Sequence, residues 1–209
     1  MSQGQKVRFL GLSDQIFEQP LKMDYRQFSN LKIDGFSRGL LWRSLQFDDL
    51  DSLTRIWSDP EVTRFLPSRG KPIPQENVRQ SLSTFIEHWQ QRNYGIWAIV
   101  DRNSSQMVGY CGLRYLEELG EVELLYGLAR DYWGRGIITQ AAKATISFGF
   151  KTANLNRIIA LVLPENQASK RVIEKAGFDY EKQIHIFGLN VLYYSLESEA
   201  IVPTSVANR

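Results

Sequence analysis

The stretch that most constrains this chain is Leu125-Tyr126-Gly127-Leu128-Ala129-Arg130-Asp131-Tyr132-Trp133-Gly134-Arg135-Gly136-Ile137-Ile138-Thr139-Gln140. An apolar, strand-like run ends in a short turn with glycines at 134 and 136, and an apolar-periodic helix starts at once. Such a junction gathers backbone N–H groups at the positive end of a helix and makes a seat for phosphate. Without Cβ atoms, Gly134 and Gly136 let the main chain take left-handed φ values and approach a ligand, and Arg135 between them adds positive charge. Taken alone, a Gly-x-Gly also reads as an ordinary strand-to-helix turn. The dinucleotide-binding fingerprint does not fit, because its third glycine falls on Thr139. The Gly-Lys-Ser/Thr ending of a phosphate loop is absent as well.

The stretch resembles motif A of the GNAT superfamily of N-acetyltransferases, whose loop Gln/Arg-x-x-Gly-x-Gly/Ala binds the pyrophosphate of acetyl-CoA. The alignment puts Asp131 at the Gln/Arg position, followed by Tyr132, Trp133, Gly134, Arg135 and Gly136. The wording Tyr-Trp-Gly-Arg-Gly is similar to the subgroup that includes the ribosomal-protein-alanine N-acetyltransferases. The resemblance implies an α/β fold with a mixed central sheet of about seven strands, about four flanking helices, and a splay between the fourth and fifth strands.

Length allows one domain with a full core within the 209 residues. Lys and Arg number 25 against 23 Asp and Glu, so charge selects no polyanion and no basic stripe points to nucleic acid. Cys111 is the sole cysteine, which excludes an intrachain disulfide, and His88 and His185 lie too far apart to suggest a metal set. No run reaches the roughly 20 apolar residues of a membrane span, and the start Met1-Ser2-Gln3-Gly4-Gln5-Lys6 does not read as a secretory signal. The expected compartment is the cytoplasm, the expected state a monomer or homodimer.

Residues 1–38 read as an N-terminal extension without sustained periodicity, 39–197 as the domain, and 198–209 as a tail. Within the domain, Gly39 to Leu45 reads as the first strand, and Asp48 or Asp49 offers an N-cap to a helix burying Leu50, Leu53, Ile56 and Trp57. Pro60 and Pro67 bracket a turn-rich stretch, and Pro74 to Gln91 is a second helix with Val78, Leu82, Phe85, Ile86 and Trp89 on one side. Tyr94 to Asp101 and Met107 to Leu116 form a hairpin, and Glu121 to Leu128 leads into the glycine loop. After it, Ile138, Ala142, Ile146 and Phe150 predict an apolar stripe against the sheet. Arg157 to Val162 is a β-branched strand expected to run parallel to the fourth, since a helix crosses between them. A helix from Asn166 stops at Gly177, and Phe178 to Phe187 with Val191 to Leu196 form a closing hairpin across Gly188-Leu189-Asn190.

Acetyl transfer to an amine needs a bound donor, a neutral amine and a proton for the departing thiolate. For the donor, the candidates are the loop amides of Trp133, Gly134, Arg135, Gly136, Ile137 and Ile138. The resemblance adds the strand end Tyr126, Gly127 and Leu128 for the pantetheine arm. It also implies Glu123 as base, through the pattern Glu123-Leu124-Leu125-Tyr126, although a strand glutamate is as commonly an ion-pair partner. Asn166-Gln167-Ala168-Ser169 resembles the family's Asn-x-x-Ser variant, which implies Ser169 as proton donor and Asn166 as a cofactor partner. The tyrosine that protonates the thiolate in many relatives falls here on Ile173. Asn166 is equally a good N-cap, and Ser169 equally a first-turn residue. Lys170 and Arg171 read as a solvated face or as neighbours of a nucleotide phosphate. Arg64 and Phe65 would face the acceptor by resemblance, or simply close a capped turn. Cys111 reads as a packed thiol. The implied activity is acetyl-CoA-dependent transfer to a primary amine without metal, a protein N-terminus leading and a small-molecule amine next; a non-catalytic acetyl-CoA-binding module is the alternative outside enzymes.

Overall fold

The computed structural model describes residues 39–198. The proposed extension 1–38 lies outside the described residues, as does the tail after Ser198, whose amide donates to the Asn156 carbonyl at 2.8 Å. In chain order the elements are β1 (Leu40–Ser44), α1 (Leu50–Ser58), α2 (Pro60–Thr63), α3 (Gln75–Arg92), β2 (Ile96–Asp101), β3 (Met107–Leu116), β4 (Glu121–Leu128), α4 (Ile137–Lys151), β5 (Arg157–Val162), α5 (Gln167–Ala176), β6 (Asp179–Ile186) and β7 (Leu189–Glu197). Short 3₁₀ turns at Phe47–Asp49 and Arg130–Tyr132 precede α1 and the glycine loop. The strands form one seven-stranded sheet in the order β1-β2-β3-β4-β5-β7-β6. All neighbours are antiparallel except β4 and β5, as the crossover helix α4 requires.

Two layers cover the sheet. Leu53, Ile56, Leu82 and Phe85 of α1 and α3 pack on Ile96, Ala98 and Tyr110, while Ala141, Ile146 and Ile173 of α4 and α5 pack on Trp97, Cys111, Leu124 and Ile158. Period two along each strand sends alternate residues to these two cores, which is why β2 is buried at every position but its last. The β4–β5 pairing holds at one registered pair, Glu123↔Ile159, and the strands part beyond it. That parting is the splay expected from the sequence, and it opens next to the glycine loop.

Three local readings are corrected. Neither Asp48 nor Asp49 caps α1 with its side chain. Asp49 is buried, takes both guanidinium nitrogens of Arg43 at 2.6 and 2.7 Å, and accepts from the Gln46 amide at 2.8 Å. Burial holds α1 without a cap: a buried aliphatic or aromatic side chain contributes about 1.5–3 kcal/mol against about 1 for a cap, and α1 buries Leu50, Leu53, Ile56 and Trp57. On α4, Ala142 and Ile146 of the expected stripe are buried, together with Ile137, Ala141, Thr145, Phe148 and Gly149, while Ile138 and Phe150 at its ends are only partly covered. A row with spacing four drifts around a helix of 3.6 residues per turn, so its ends leave the interface. The closing hairpin turns on Phe187 and Gly188 alone, both left-handed (φ 53° and 73°), while Leu189 and Asn190 pair with Ile186 and His185. That is the primed two-residue turn whose twist suits a hairpin.

Candidate functional site

The loop between β4 and α4 is braced before any ligand arrives. The Trp133 indole donates to the Leu128 carbonyl at 2.8 Å, the Tyr132 hydroxyl to Asp101 Oδ2 at 2.8 Å, and Arg135 to the Asp131 carbonyl at 2.6 Å. Arg135 also lies over the Tyr132 ring, 5.2 Å from its centroid. Gly134 and Gly136 are left-handed at φ 73° and 72°, and a Cβ at either would meet nothing within 4 Å. Conformation, not room, therefore demands glycine here. The amides of Gly134, Arg135, Gly136, Ile137 and Ile138 meet no acceptor among the described residues, and α4 begins without a side-chain cap. Five donors at the positive end of a 15-residue helix suit an anion of diphosphate size. The Trp133 amide, included in the expected set, is corrected out of it: it already donates to Arg130 O at 3.0 Å. The Leu128 carbonyl, taken by the indole, is likewise unavailable to a pantetheine arm through that lone pair.

Alternation along β4 divides the expected catalytic pair between the two faces of the sheet. Val122, Leu124, Tyr126 and Leu128 face α4 and α5, whereas Leu125 belongs to the α1 and α3 core. Glu123, odd-numbered, shares the latter side with its registered partner Arg114 on β3. Glu123 is buried, 4% exposed, and its Oε2 accepts from Arg114 Nε at 2.6 Å. Its Oε1 has no hydrogen-bond partner among the described residues. Ser169 sits across the splay in the first turn of α5. Its amide donates to Asn166 Oδ1 at 3.0 Å, and its hydroxyl lies 2.7 Å from the Tyr126 hydroxyl. Asn166 is thus the N-cap, and cap and first turn are one unit. Burial pushes the Tyr126 phenol well above its ordinary pKa, so it stays protonated at any ordinary pH.

Sequence reasoning missed two bridges. Tyr126 carries a side-chain partner, Ser169, from an element 43 residues away. Arg69 and Glu165, 3.0 Å apart, tie the turn-rich stretch after α2 to the residue preceding Asn166. The only prior signal for the first was the tyrosine in the Glu-x-x-Tyr pattern; for the second there was none. Arg64 pairs with Glu61 at 2.9 Å and lies 4.5 Å over the Phe65 ring, so its charge is engaged locally. Lys170 stands 3.9 Å from Glu174 on the solvated side of α5. A cavity of about 360 Å³ opens between α1, α2 and the Arg130–Tyr132 turn. Arg130 pairs with Asp59 there at 3.3 Å, Arg55 donates to the Gln106 side-chain oxygen at 2.6 Å, and Ser169 is not among the lining residues.

Two other titratable groups support the frame. Cys111 is fully buried 3.5 Å from the Thr145 hydroxyl, and burial pushes its thiol up to about 12, so it is no nucleophile at neutral pH. His88 holds α3 to the sheet: Nδ1 lies 2.8 Å from the Tyr94 carbonyl and Nε2 accepts the Tyr115 amide at 3.0 Å. Those bonds require the neutral ring with its proton on Nδ1. Burial lowers its pKa from 6.5 to about 4. Since the unfolded chain binds this proton first, the contribution is whole above about 6.5 and fades as pH falls toward about 4. It amounts to at most about 3 kcal/mol. Denaturant titrations should therefore find that the stability gap between wild type and His88→Ala narrows across that window; a constant gap would count against the buried neutral ring.

Against known proteins, residues 40–179 match the family profile described as an acetyltransferase (GNAT) domain. The N-acetyltransferase p20 of Bacillus licheniformis is 30% identical over 158 residues, covering 70% of this chain and 86% of that protein. The putative ribosomal N-acetyltransferase YdaF of Bacillus subtilis is 32% identical over 166 residues, 74% of this chain and 88% of its own. Among solved structures, the ribosomal alpha-N-protein acetyltransferase RimL in complex with coenzyme A superposes with TM-score 0.64 at 20% identity, covering 77% of this chain and 95% of that one. A family profile spanning β1 to the start of β6, a relative at 30% identity over most of both chains, and the parallel β4–β5 pair that splays beside a glycine loop agree on one assignment: the chain belongs to the GNAT family of acetyltransferases.

Proposed function

We propose that this N-acetyltransferase moves the acetyl group of acetyl-CoA directly to a primary amine, with a protein N-terminal amine as the leading acceptor. The observation that carries the reading is the set of five unengaged amides from Gly134 to Ile138 at the mouth of the β4–β5 splay. In this reading those amides hold the diphosphate, and the β4 edge beyond Glu123 offers main-chain groups of Tyr126 and Gly127 to the pantetheine amides. When bound, acetyl-CoA would supply the thioester carbonyl that the amine attacks.

Glu123 then takes the proton released by the attacking nitrogen, directly or through water, using the Oε1 that Arg114 leaves open. As the new C–N bond forms and the C–S bond breaks, Ser169 meets the departing sulfur from the opposite face and supplies its proton, recovering one from solvent. Arg114 keeps the Glu123 carboxylate pinned in one rotamer against β3. An α-amine titrates at about 7.7–8.0 and a lysine at about 10.4, so the former asks less of its base. The relatives named for ribosomal N-acetyltransfer support the same class of acceptor.

Glu123→Gln is expected to lower kcat/KM for the acceptor by about 100-fold while leaving acetyl-CoA affinity nearly unchanged. Turnover at the wild-type rate would reduce Glu123 to the partner of Arg114. For the acceptor itself, labelled acetyl-CoA presented to N-terminal peptides, polyamines, amino acids and aminoglycosides should label peptides best. Preference for a small amine would overturn the protein-terminus reading and keep the chemistry.

A further inference from the structure

The phenol of Tyr126 has no task in the scheme above, yet it meets the residue to which that scheme gives the proton for sulfur. It projects from β4 on the α4 and α5 side, just past the point where β4 and β5 separate, and its hydroxyl reaches α5 to stand 2.7 Å from Ser169 Oγ and 3.4 Å from the Ser169 carbonyl. A serine hydroxyl has one hydrogen and a free rotor. In the first turn of α5 that hydrogen has two destinations: an oxygen nearby, or the splay.

We propose that Tyr126 is a positioning residue for acetyl transfer, donating its hydrogen bond to Ser169 Oγ so that the serine's own hydrogen is turned toward the sulfur of the thioester. The inference rests on the role given to Ser169 above. Four observations carry it. The phenol hydrogen has Ser169 Oγ at 2.7 Å, nearer than the Ser169 carbonyl at 3.4 Å, and burial keeps the phenol protonated to donate it. Asn166 Oδ1 already accepts the Ser169 amide at 3.0 Å, and Ser169 Oγ has no hydrogen-bond partner but Tyr126 among the described residues. The backbone of Ser169 is fixed by that same cap, so the rotor is the one freedom left to set. The ring is packed too: it belongs to the α4 and α5 core, and Cys111, on the same face of the sheet, is the registered β3 partner of Tyr126. No proton need leave the phenol. Its hydrogen bond removes the alternative rotamer of the serine and makes the serine a better donor to a developing thiolate.

The test uses the full chain and coenzyme A, which needs no acceptor. The probe is the titration of the bound thiol, followed by ultraviolet thiolate absorbance, for wild type, Tyr126→Phe, Ser169→Ala and the double variant. A hydrogen bond to the thiolate holds the bound thiol below its value in free coenzyme A. Both single variants should raise it, and the double variant should match Ser169→Ala, because Tyr126 acts only through the serine. With acceptor present, kcat should fall about 10-fold in Tyr126→Phe with KM for acetyl-CoA unchanged, and the loss should vanish in the Ser169→Ala background. A purely structural tyrosine would lower the melting temperature and leave the thiol titration alone. If Ser169→Ala shifts the thiol and Tyr126→Phe does not, the positioning role is wrong while the serine's role stands. If neither shifts it, or coenzyme A does not bind, the reading of the site itself fails.

Discussion

Gly134→Glu should abolish measurable acetyl-CoA binding in a protein that still folds. A Cβ at this position would meet nothing within 4 Å, so the substitution creates no clash inside the molecule. Its folding cost is the left-handed φ of 73°, about 1–2 kcal/mol for an L-residue. The effect on the ligand is much larger. The carboxylate would stand within about 5 Å of a diphosphate held by the neighbouring amides, where two like charges at an effective dielectric near 20 repel by about 3 kcal/mol per pair. That is more than 100-fold in affinity from one pair alone. Calorimetric titration should give no heat at concentrations that saturate wild type, and thermal melting should fall only by the strain at one residue. Wild-type affinity in the variant would remove the diphosphate from this loop.

The largest expected loss of stability comes from a single methyl group. In Gly112→Ala the new Cβ would fall on the Gly95 carbonyl oxygen, 2.5 Å from Ile96 Cα and 2.9 Å from the Gly95 carbonyl carbon. These are backbone atoms of the adjoining chain, and Ile96 is the registered partner of Gly112. No rotamer change relieves the contact; β2 and β3 must move apart. β2 is buried on both faces and carries Trp97, which packs against Trp42, Trp89 and Phe148, so the displacement reaches the centre of the larger core. A cost of about 3 kcal/mol, the upper end for overpacking, corresponds to a melting temperature lower by about 10 °C. Gly188→Ala is the control: it too is strained, at φ 73°, but stands in open space and should cost about 1 kcal/mol. Equal melting of Gly112→Ala and wild type would mean that the two strands are not this close.

What each residue says about its own neighbours was legible. The limits of β4 and β5 follow from β-branched and apolar runs between turn residues, and α5 from Asn166 at one end and Gly177 at the other. The Gly134 and Gly136 turn carried the family as well as the loop. Reading α4 by a spacing of four caught Ala142 and Ile146 but included Ile138 and Phe150 at the rim, because a helix face is fixed by the sheet it meets and not by the apolar residues alone. Asp49 failed as a cap for a related reason: Arg43, six residues back on β1, is a stronger partner than the helix amides.

The sequence by itself determined the order of elements, the glycine loop and the presence of Glu123 and Ser169, since these depend on periodicity and on the chemistry of adjacent residues. Only the tertiary structure decided that Glu123 and Ser169 stand on opposite faces of a parting sheet, that Arg114 holds one and Tyr126 meets the other, and that Arg69 ties the turn after α2 to the start of α5. The reason is one of dimension. Strand register and crossover bring together residues 9, 43 and 96 positions apart, and no local pattern along the chain encodes which of them will touch.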